Sequence, residues 1–380
     1  MPIFPDRLLT PPHANELEIC IFGPGYGESV VLHIPAVGWG IIDSCTAKVA
    51  EGEVVLPLEY LTTLLAPQFP KLAFVILTHP HEDHYKGLDR ILQKYPGGTE
   101  RVCRYDGDGI RELKMYIATQ RTGLRDVLPG FAKVLEVMKE AAAKGAQFRR
   151  LLEMTSVFNF EKVTVEEYGT TDISMIALSP SALSVEKYIE MLFSAIPKTG
   201  EVVLPMRDEA HNLISVALLL KLGDLQVIFG SDLESGSTDS IGWKGVIYNK
   251  DCPDLRANLV KVAHHGSESG HNSLAWKQHC DKTKPIAVIT PFSHGGRPLP
   301  EDQVVATLRK VTDRVGITSR LKLAKLSRYY SRATVMAYSK QARHIRGVLE
   351  ESGRIGFIRV RLLLNGTIAE CLAEPPAYWV

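Results

Sequence analysis

At 380 residues, with 45% apolar and 23% charged positions, the chain has a globular composition that excludes wholesale disorder and supplies length for a large buried core. Its 44 basic and 43 acidic residues leave a formal charge of +1, so net charge selects no class of partner and only its distribution can. No run is long and apolar enough to span a bilayer, and Met1 to Arg7 lacks the pattern of a signal peptide. The cysteines, Cys20, Cys45, Cys103, Cys252, Cys280 and Cys371, show no C-x-x-C spacing, which reads as reduced thiols in a soluble cytoplasmic protein without membrane contact.

In chain order, residues 17–22 and 29–34 predict strands around the turn cluster Gly23-Pro24-Gly25-Tyr26-Gly27, and 39–42 predicts a third that runs into Asp43. The apolar run 71–77 predicts a buried strand ending at Thr78, and 87–93 has helical spacing. From about 109 to 158 the composition shifts to helix formers and predicts a helical insertion. Strands resume at 163–166 and 174–178, a helix follows at 184–196, and 214–222 pairs with 226–229 around Gly223-Asp224. Two strand–helix units begin at 259–263 and 286–289, and 355–364 with 367–372 predicts a hairpin across Asn365-Gly366. Two sheets packed face to face with helices outside fit this α/β order, as do other layered arrangements. Without a Gly/Ser-rich or Pro-rich linker in the middle, one main domain is expected over 1–315. Residues 316–380 form a C-terminal extension closing or flanking it.

The strongest signal is Thr78-His79-Pro80-His81-Glu82-Asp83-His84. On a loop leaving a strand, His79 and His81 can point the same way, because residues two apart share a side. Asp83 and His84, one turn later, can face a second ion. Imidazole and carboxylate suit zinc, manganese and iron, and four such groups in six residues would be costly to desolvate without a cation. Two divalent ions are therefore expected, zinc before manganese or iron.

An H-x-H-x-D-H motif after an apolar strand resembles the metallo-β-lactamase superfamily, which implies an αββα sandwich and, for most members, hydrolysis. Asp43 resembles the aspartate that buttresses the metal loop. His211-Asn212-Leu213-Ile214-Ser215 resembles the segment giving a third ligand to the first metal, and Phe229-Gly230-Ser231-Asp232 the one whose aspartate bridges both. Val262-Ala263-His264-His265-Gly266-Ser267, with Ile176-Ala177-Leu178-Ser179-Pro180 and Asn212-x-x-Ser215, is similar to the hydrolase domain of the DNA-uptake channel protein ComEC. The resemblance covers about 17–311, without that protein's membrane segments. It departs where Ser44 and Cys45, rather than glycine, follow Asp43.

The implied metal ligands are His79, His81, Asp83, His84, His211, Asp232 and His265. Of His264 and His265 the ligand is the one directly before glycine, and its neighbour orients a ligand or donates a proton; Asp83, His264 and His265 are the candidates for a direct part in the chemistry. The expected reaction is attack by a metal-bridged hydroxide on phosphorus or a carbonyl. The basic stretch from Arg309 to Arg346, with Asp313 its one carboxylate, adds a candidate face for an anionic small-molecule or nucleic-acid substrate and favours a phosphodiester. A carboxylic ester, lactone or thioester stays open, as does a metal-dependent oxidoreductase of the same fold. Diiron oxygen-reducing members place a carboxylate where this chain has His81, which argues for hydrolysis. His294, in a Gly-rich loop, is a further candidate for reaching the substrate.

Overall fold

Along β1 (Glu16–Phe22) Leu17, Ile19 and Ile21 point to one side and Glu18, Cys20 and Phe22 to the other, and both rows are buried. Side chains alternate along a strand, so a sheet with both faces covered must lie between two other layers. The computed structural model describes residues 4, 9–49, 52–66, 72–95, 104–105, 129–143, 151–195, 208–293, 298–320 and 355–380.

The first half runs β1, β2 (Ser29–Ile34), β3 (Gly38–Ile42), the hairpin β4 (Thr46–Val49) and β5 (Gly52–Val55), α1 (Leu56–Leu64), β6 (Leu72–Leu77), α2 (Glu82–Tyr85), α3 (Leu88–Lys94), β7 (Arg104–Tyr105) and α4 (Pro129–Ala143). The second runs β8 (Thr155–Val165), β9 (Gly169–Ala177), α5 (Ala182–Ala195), a 3-10 turn (Asp208–Ile214), β10 (Leu218–Leu222), β11 (Leu225–Phe229), α6 (Gly242–Tyr248), β12 (Leu259–Lys261), a second 3-10 turn (Ala263–Gly266), α7 (Ser273–His279), β13 (Ile286–Ile289), α8 (Asp302–Val311) and β14 (Arg314–Ile317). The chain closes with β15 (Phe357–Leu363), β16 (Ile368–Glu374) and β17 (Tyr378–Trp379).

Among the described residues these strands make a seven-stranded sheet ordered β16-β15-β1-β2-β3-β6-β7 and an eight-stranded sheet ordered β17-β14-β13-β12-β11-β10-β9-β8. Leu17, Ile19 and Ile21 meet Leu218, Leu220 and Val227 in the core between the sheets. The opposite face of the first sheet, with Cys20, Val31 and Val75, packs on Tyr60 and Leu61 of α1 and Ile91 of α3. The outer face of the second, with Leu219, Ile228 and Val260, packs on Trp243, Trp276 and Leu308 of α6, α7 and α8. The architecture is thus an αββα sandwich.

Parallel pairing fixes where the loops gather. β3 runs parallel to β6, and β11 through β14 run parallel to one another. The C-terminal ends of parallel strands lie together, which is where open α/β sheets assemble binding sites.

The helical insertion expected over 109–158 is shorter than that: α4 is helical, but β8 starts at Thr155, where the β-rich run TSVFNFEKVTV pairs with β9. Residues 109–128 and 144–150 lie outside the described residues. The strand expected from 214 begins at Leu218, because 208–214 winds into a 3-10 turn. The strand expected over 259–263 stops at Lys261, where the backbone turns into the positive-φ conformations of His264 and His265. Of the basic stretch only the part up to Arg320 is described, and His294 lies outside the described residues.

Candidate metal centre

Each candidate residue follows a strand end or sits in a turn beside one. β6 delivers Thr78 to His81 and then α2, whose single turn carries Asp83 and His84. β3 ends at Asp43, β11 runs into Ser231 and Asp232, and β12 into His264 and His265. The 3-10 turn before β10 carries His211. Asp43, Ser231, His264 and His265 take φ of 58°, 47°, 48° and 54°. Left-handed backbone at non-glycine residues costs about 1 to 3 kcal/mol each and persists where surrounding structure enforces it, typically at functional sites. Two glycines permit the approach: a Cβ on Gly27, at φ +90°, would stand 2.8 Å from Cys45 Cβ and 3.1 Å from Asp83 O, and one on Gly230 2.8 Å from Ala263.

Donor atoms converge in two groups that share Asp232. His79, His81 and Asp232 each place a ligand atom within 4.8 Å of the others, as do His84, Asp232, His265 and Glu28. His79 Nε2 lies 2.8 Å from His81 Nδ1 and 3.7 Å from Asp232 Oδ2. His84 Nε2 lies 3.4 Å from Asp232 Oδ1 and 3.7 Å from Asp83 Oδ2, and His265 Nε2 lies 3.1 Å from Asp83 Oδ2 and 3.6 Å from Asp232 Oδ2. The His211 ring stands 5.0 Å from that of His81. With its proton on Nδ1, His211 donates to Tyr188 Oη, 3.1 Å away, and leaves Nε2 as a lone-pair donor.

The back faces of the imidazoles are held. His84 Nδ1 donates to Asp43 Oδ2 at 2.7 Å, and Asp43 also accepts from the Thr78 amide and hydroxyl. His265 Nδ1 donates to Thr290 O at 2.9 Å. When neutral, both rings therefore keep their proton on Nδ1 and turn the Nε2 lone pair toward the cluster, the tautomer a metal ligand needs. Glu28 belongs to the group by proximity, yet its carboxylate lies 3.7 Å from His84 Nδ1 and 3.4 Å from His265 Nδ1. It stands behind these ligands rather than among them.

His264 is different. Its Nδ1 lies 3.0 Å from Ser269 Oγ and 3.4 Å from Glu234 Oε1, its Nε2 lies 3.4 Å from Asn212 Nδ2, and 20% of its side chain is exposed. Of the pair, His265 meets Asp83 and Asp232, and His264 stands at the rim.

The residues present fit divalent cations. His84 Nε2 and Asp232 Oδ1 are buried, face each other and have no hydrogen-bond partner, an arrangement that costs a few kcal/mol per group unless something positive lies between them. Burial drives His79 well below its ordinary pKa, and the neighbouring imidazoles add to the effect. Burial opposes protonation of His84 too, but Asp232, Asp83, Asp43 and Glu28 outweigh it and push its pKa well up. Burial would raise Asp232, yet His265 and His84 hold it well below the usual carboxylate range. Carboxylates that demand a positive neighbour, beside imidazoles able to offer lone pairs, are a donor set suited to binding metal cations.

Comparison with known families finds no matching family model, and none of the curated proteins compared matches the chain. Solved structures similar to it include the metallo-β-lactamase fold protein YhfI of Bacillus subtilis, with 13% identity over 80% of this chain and 96% of that one, at a TM-score of 0.39. The metallo hydrolase Igni18 of Ignicoccus hospitalis has 11% identity over 78% and 91%, at 0.35. The short form of human tRNase Z has 13% identity over 78% and 90%, at 0.34. The layer order and the ligand geometry described above come from this chain's own residues.

Sequence reasoning missed Glu28, Lys261, Thr290 and Tyr188, which support the ring nitrogens or one another, and named Ser215 only as part of a motif, not as a partner of His79. Only Lys261 left a trace, a cation inside the apolar run 259–263, since lysine is almost never fully buried without a partner. Among the described residues, Cys20, Cys45, Cys252, Cys280 and Cys371 are free thiols, and no helix is long and apolar enough to cross a membrane.

Proposed function

We propose that the chain is a metal-dependent hydrolase whose substrate is a phosphodiester, of a nucleotide or nucleic acid, acting in the cytoplasm where its thiols stay reduced. The observation that carries the reading is the orphaned pair His84 Nε2 and Asp232 Oδ1 inside a buried ring of imidazoles and carboxylates. His79, His81 and His211 would hold one ion, Asp83, His84 and His265 the other, and Asp232 both. Two divalent ions, zinc by this proposal, would lower the pKa of water toward about 7 and neutralise charge developing on the substrate.

The chain's own residues do the rest. Asp43 and the Thr290 carbonyl fix the tautomers of His84 and His265, so neither ring turns its N–H toward the cations. Asp83 and Asp232 return two negative charges against four positive ones, so the loaded site stays net positive and draws an anionic ester. His264, partly exposed and steered through Nδ1 by Ser269 and Glu234, would act as the proton donor to the departing oxygen only as the imidazolium; burial lowers its pKa, so this step is favoured toward acidic pH. The motif resemblance around His264-His265-Gly266-Ser267 supports a phosphodiester over a carboxylic ester.

A panel of bis(p-nitrophenyl) phosphate and p-nitrophenyl carboxylic esters, run on the zinc-loaded protein at several salt concentrations, tests the substrate class. Diester turnover with a KM that climbs with salt agrees with phosphate recognition. Ester turnover alone, indifferent to salt, contradicts it.

A further inference from the structure

Lys261 is buried at 1% exposure on a strand between the two sheets, and its ammonium is paired with the carboxylate of Glu28, itself 3% exposed. The two residues are 233 positions apart: Glu28 sits in the turn just before β2 of the first sheet, and Lys261 ends β12 of the second. A buried ion pair is a poor source of stability, since desolvation offsets its attraction, and in some proteins such a pair serves instead to fix neighbouring groups in place.

What this pair touches is one half of the metal centre. The Glu28 amide donates to Asp83 O at 2.9 Å, and its carboxylate lies behind both His84 Nδ1, at 3.7 Å, and His265 Nδ1, at 3.4 Å. Lys261 Nζ lies 3.4 Å from the carbonyl of Ser231, whose left-handed backbone sets the direction of Asp232. Asp83, His84, His265 and Asp232 are thus each met, through the backbone or the back of the ring, by one member of the pair. The other half leans elsewhere: His79 Nδ1 on the hydroxyls of Thr78, Ser215 and Ser231 at 3.1 to 3.5 Å, and His211 on Tyr188.

We propose that Glu28 and Lys261 are positioning residues for the ion held by Asp83, His84 and His265, and that this half of the centre can be emptied by breaking the pair while the His79, His81 and His211 half keeps its ion. The inference rests on the two-cation reading. Glu28 alone is no substitute for the pair. Without Lys261 its uncompensated carboxylate swings toward the cations and distorts the half it now steadies. Without Glu28 the ammonium faces the cation cluster with nothing to offset it.

The test is the zinc content and stepwise zinc affinity of the full chain, wild type against Glu28→Gln, Lys261→Met and the double variant, by titration calorimetry and elemental analysis after dialysis. Glu28→Gln is isosteric and keeps the test decisive should Lys261→Met fail to fold. The wild type is expected to bind two ions. Each variant should retain the first with unchanged affinity and bind the second roughly 10- to 100-fold more weakly, the usual cost of removing a group that orients a ligand. The double variant should stay as weak as the singles. Two tight ions in Glu28→Gln, equal weakening of both, or a double variant restored to wild-type affinity would overturn the positioning role and leave the two-cation reading standing. A wild type that binds no divalent ion would overturn both.

Discussion

Among the described residues, two buried clusters of charge are built on contrasting principles. On the outer face of the first sheet, Glu18 accepts from Arg361 at 2.8 Å and from Tyr60 Oη at 2.9 Å, while Arg359 donates to Glu370 at 2.8 Å. Positive and negative groups are matched there, on regular strands paired in register from Glu16↔Leu363 to Phe22↔Phe357. At the strand ends the opposite holds, with Asp232 Oδ1 and His84 Nε2 unpartnered and four residues nearby in left-handed backbone. Buried charge by itself therefore marks no function. Buried charge left unmatched by its own neighbours, on strained backbone, marks a place kept for a ligand.

The comparison breaks most visibly if the two clusters respond alike to mutation. Asp232→Ala should reduce hydrolysis to the uncatalysed background and abolish binding of two ions, and the apo protein should lose some stability as well, because His265 and His84 hold that carboxylate ionised in the folded chain. In the matched cluster, Arg361→Met strands Glu18 and should cost about 3 to 5 kcal/mol of unfolding free energy with zinc content unchanged, as denaturant titration would reveal. Full metal binding in Asp232→Ala, or loss of zinc in Arg361→Met, would erase the contrast between the two clusters.

A smaller effect sharpens the contrast within the site. His264→Ala should lower kcat by about 10²- to 10³-fold and keep both ions, whereas His265→Ala should lose one. Elemental analysis beside steady-state kinetics separates the two histidines, and equal metal loss in both variants would remove the proton-donor role.

The smallest effect concerns a histidine outside both clusters. His279 is buried, donates from Nδ1 to Leu255 O at 3.1 Å, and is pushed by burial from 6.5 down to about 4. Its folded pKa lies below its unfolded one, so between pH 6.5 and about 4 the unfolded state binds the extra proton. Stability is therefore lost as pH falls through that window, by roughly 3 kcal/mol in all. His279→Gln should flatten the acid side of the stability curve there, and an unchanged slope in urea melts would count against a neutral buried ring.

The fold and the site were legible in the sequence to different depths. Strand periodicity located β2 and β13 with correct bounds and β1, β3 and β6 within one residue, because apolar runs between turn residues are a local signal. Local signals could not reveal that 214–217 leaves the sheet: Val216 N–H donates to Thr78 O and Ala217 N–H to Ser179 Oγ, partners far away in the chain. The hairpin of β4 and β5 and the helices α1 and α6 went unassigned, and α7 and α8 were expected only as the helices of two strand–helix units, without bounds, being short and stabilised by packing rather than by their own periodicity. His79, His81, Asp83 and His84 announced themselves because chemistry compresses them into six positions, and the resemblance extended the set to His211, Asp232 and His265. Glu28 carried no such spacing: it follows a glycine-rich turn, and its place behind two imidazoles exists only once the turn before β2 is brought against the end of β12.

The account's central claim is tested most directly by turnover of bis(p-nitrophenyl) phosphate measured against equivalents of zinc added back to chelator-treated protein. The account predicts no activity in the metal-free chain and a rise that levels off at two equivalents. Full activity without metal, or a folded chain that takes up zinc and never turns over, would contradict it.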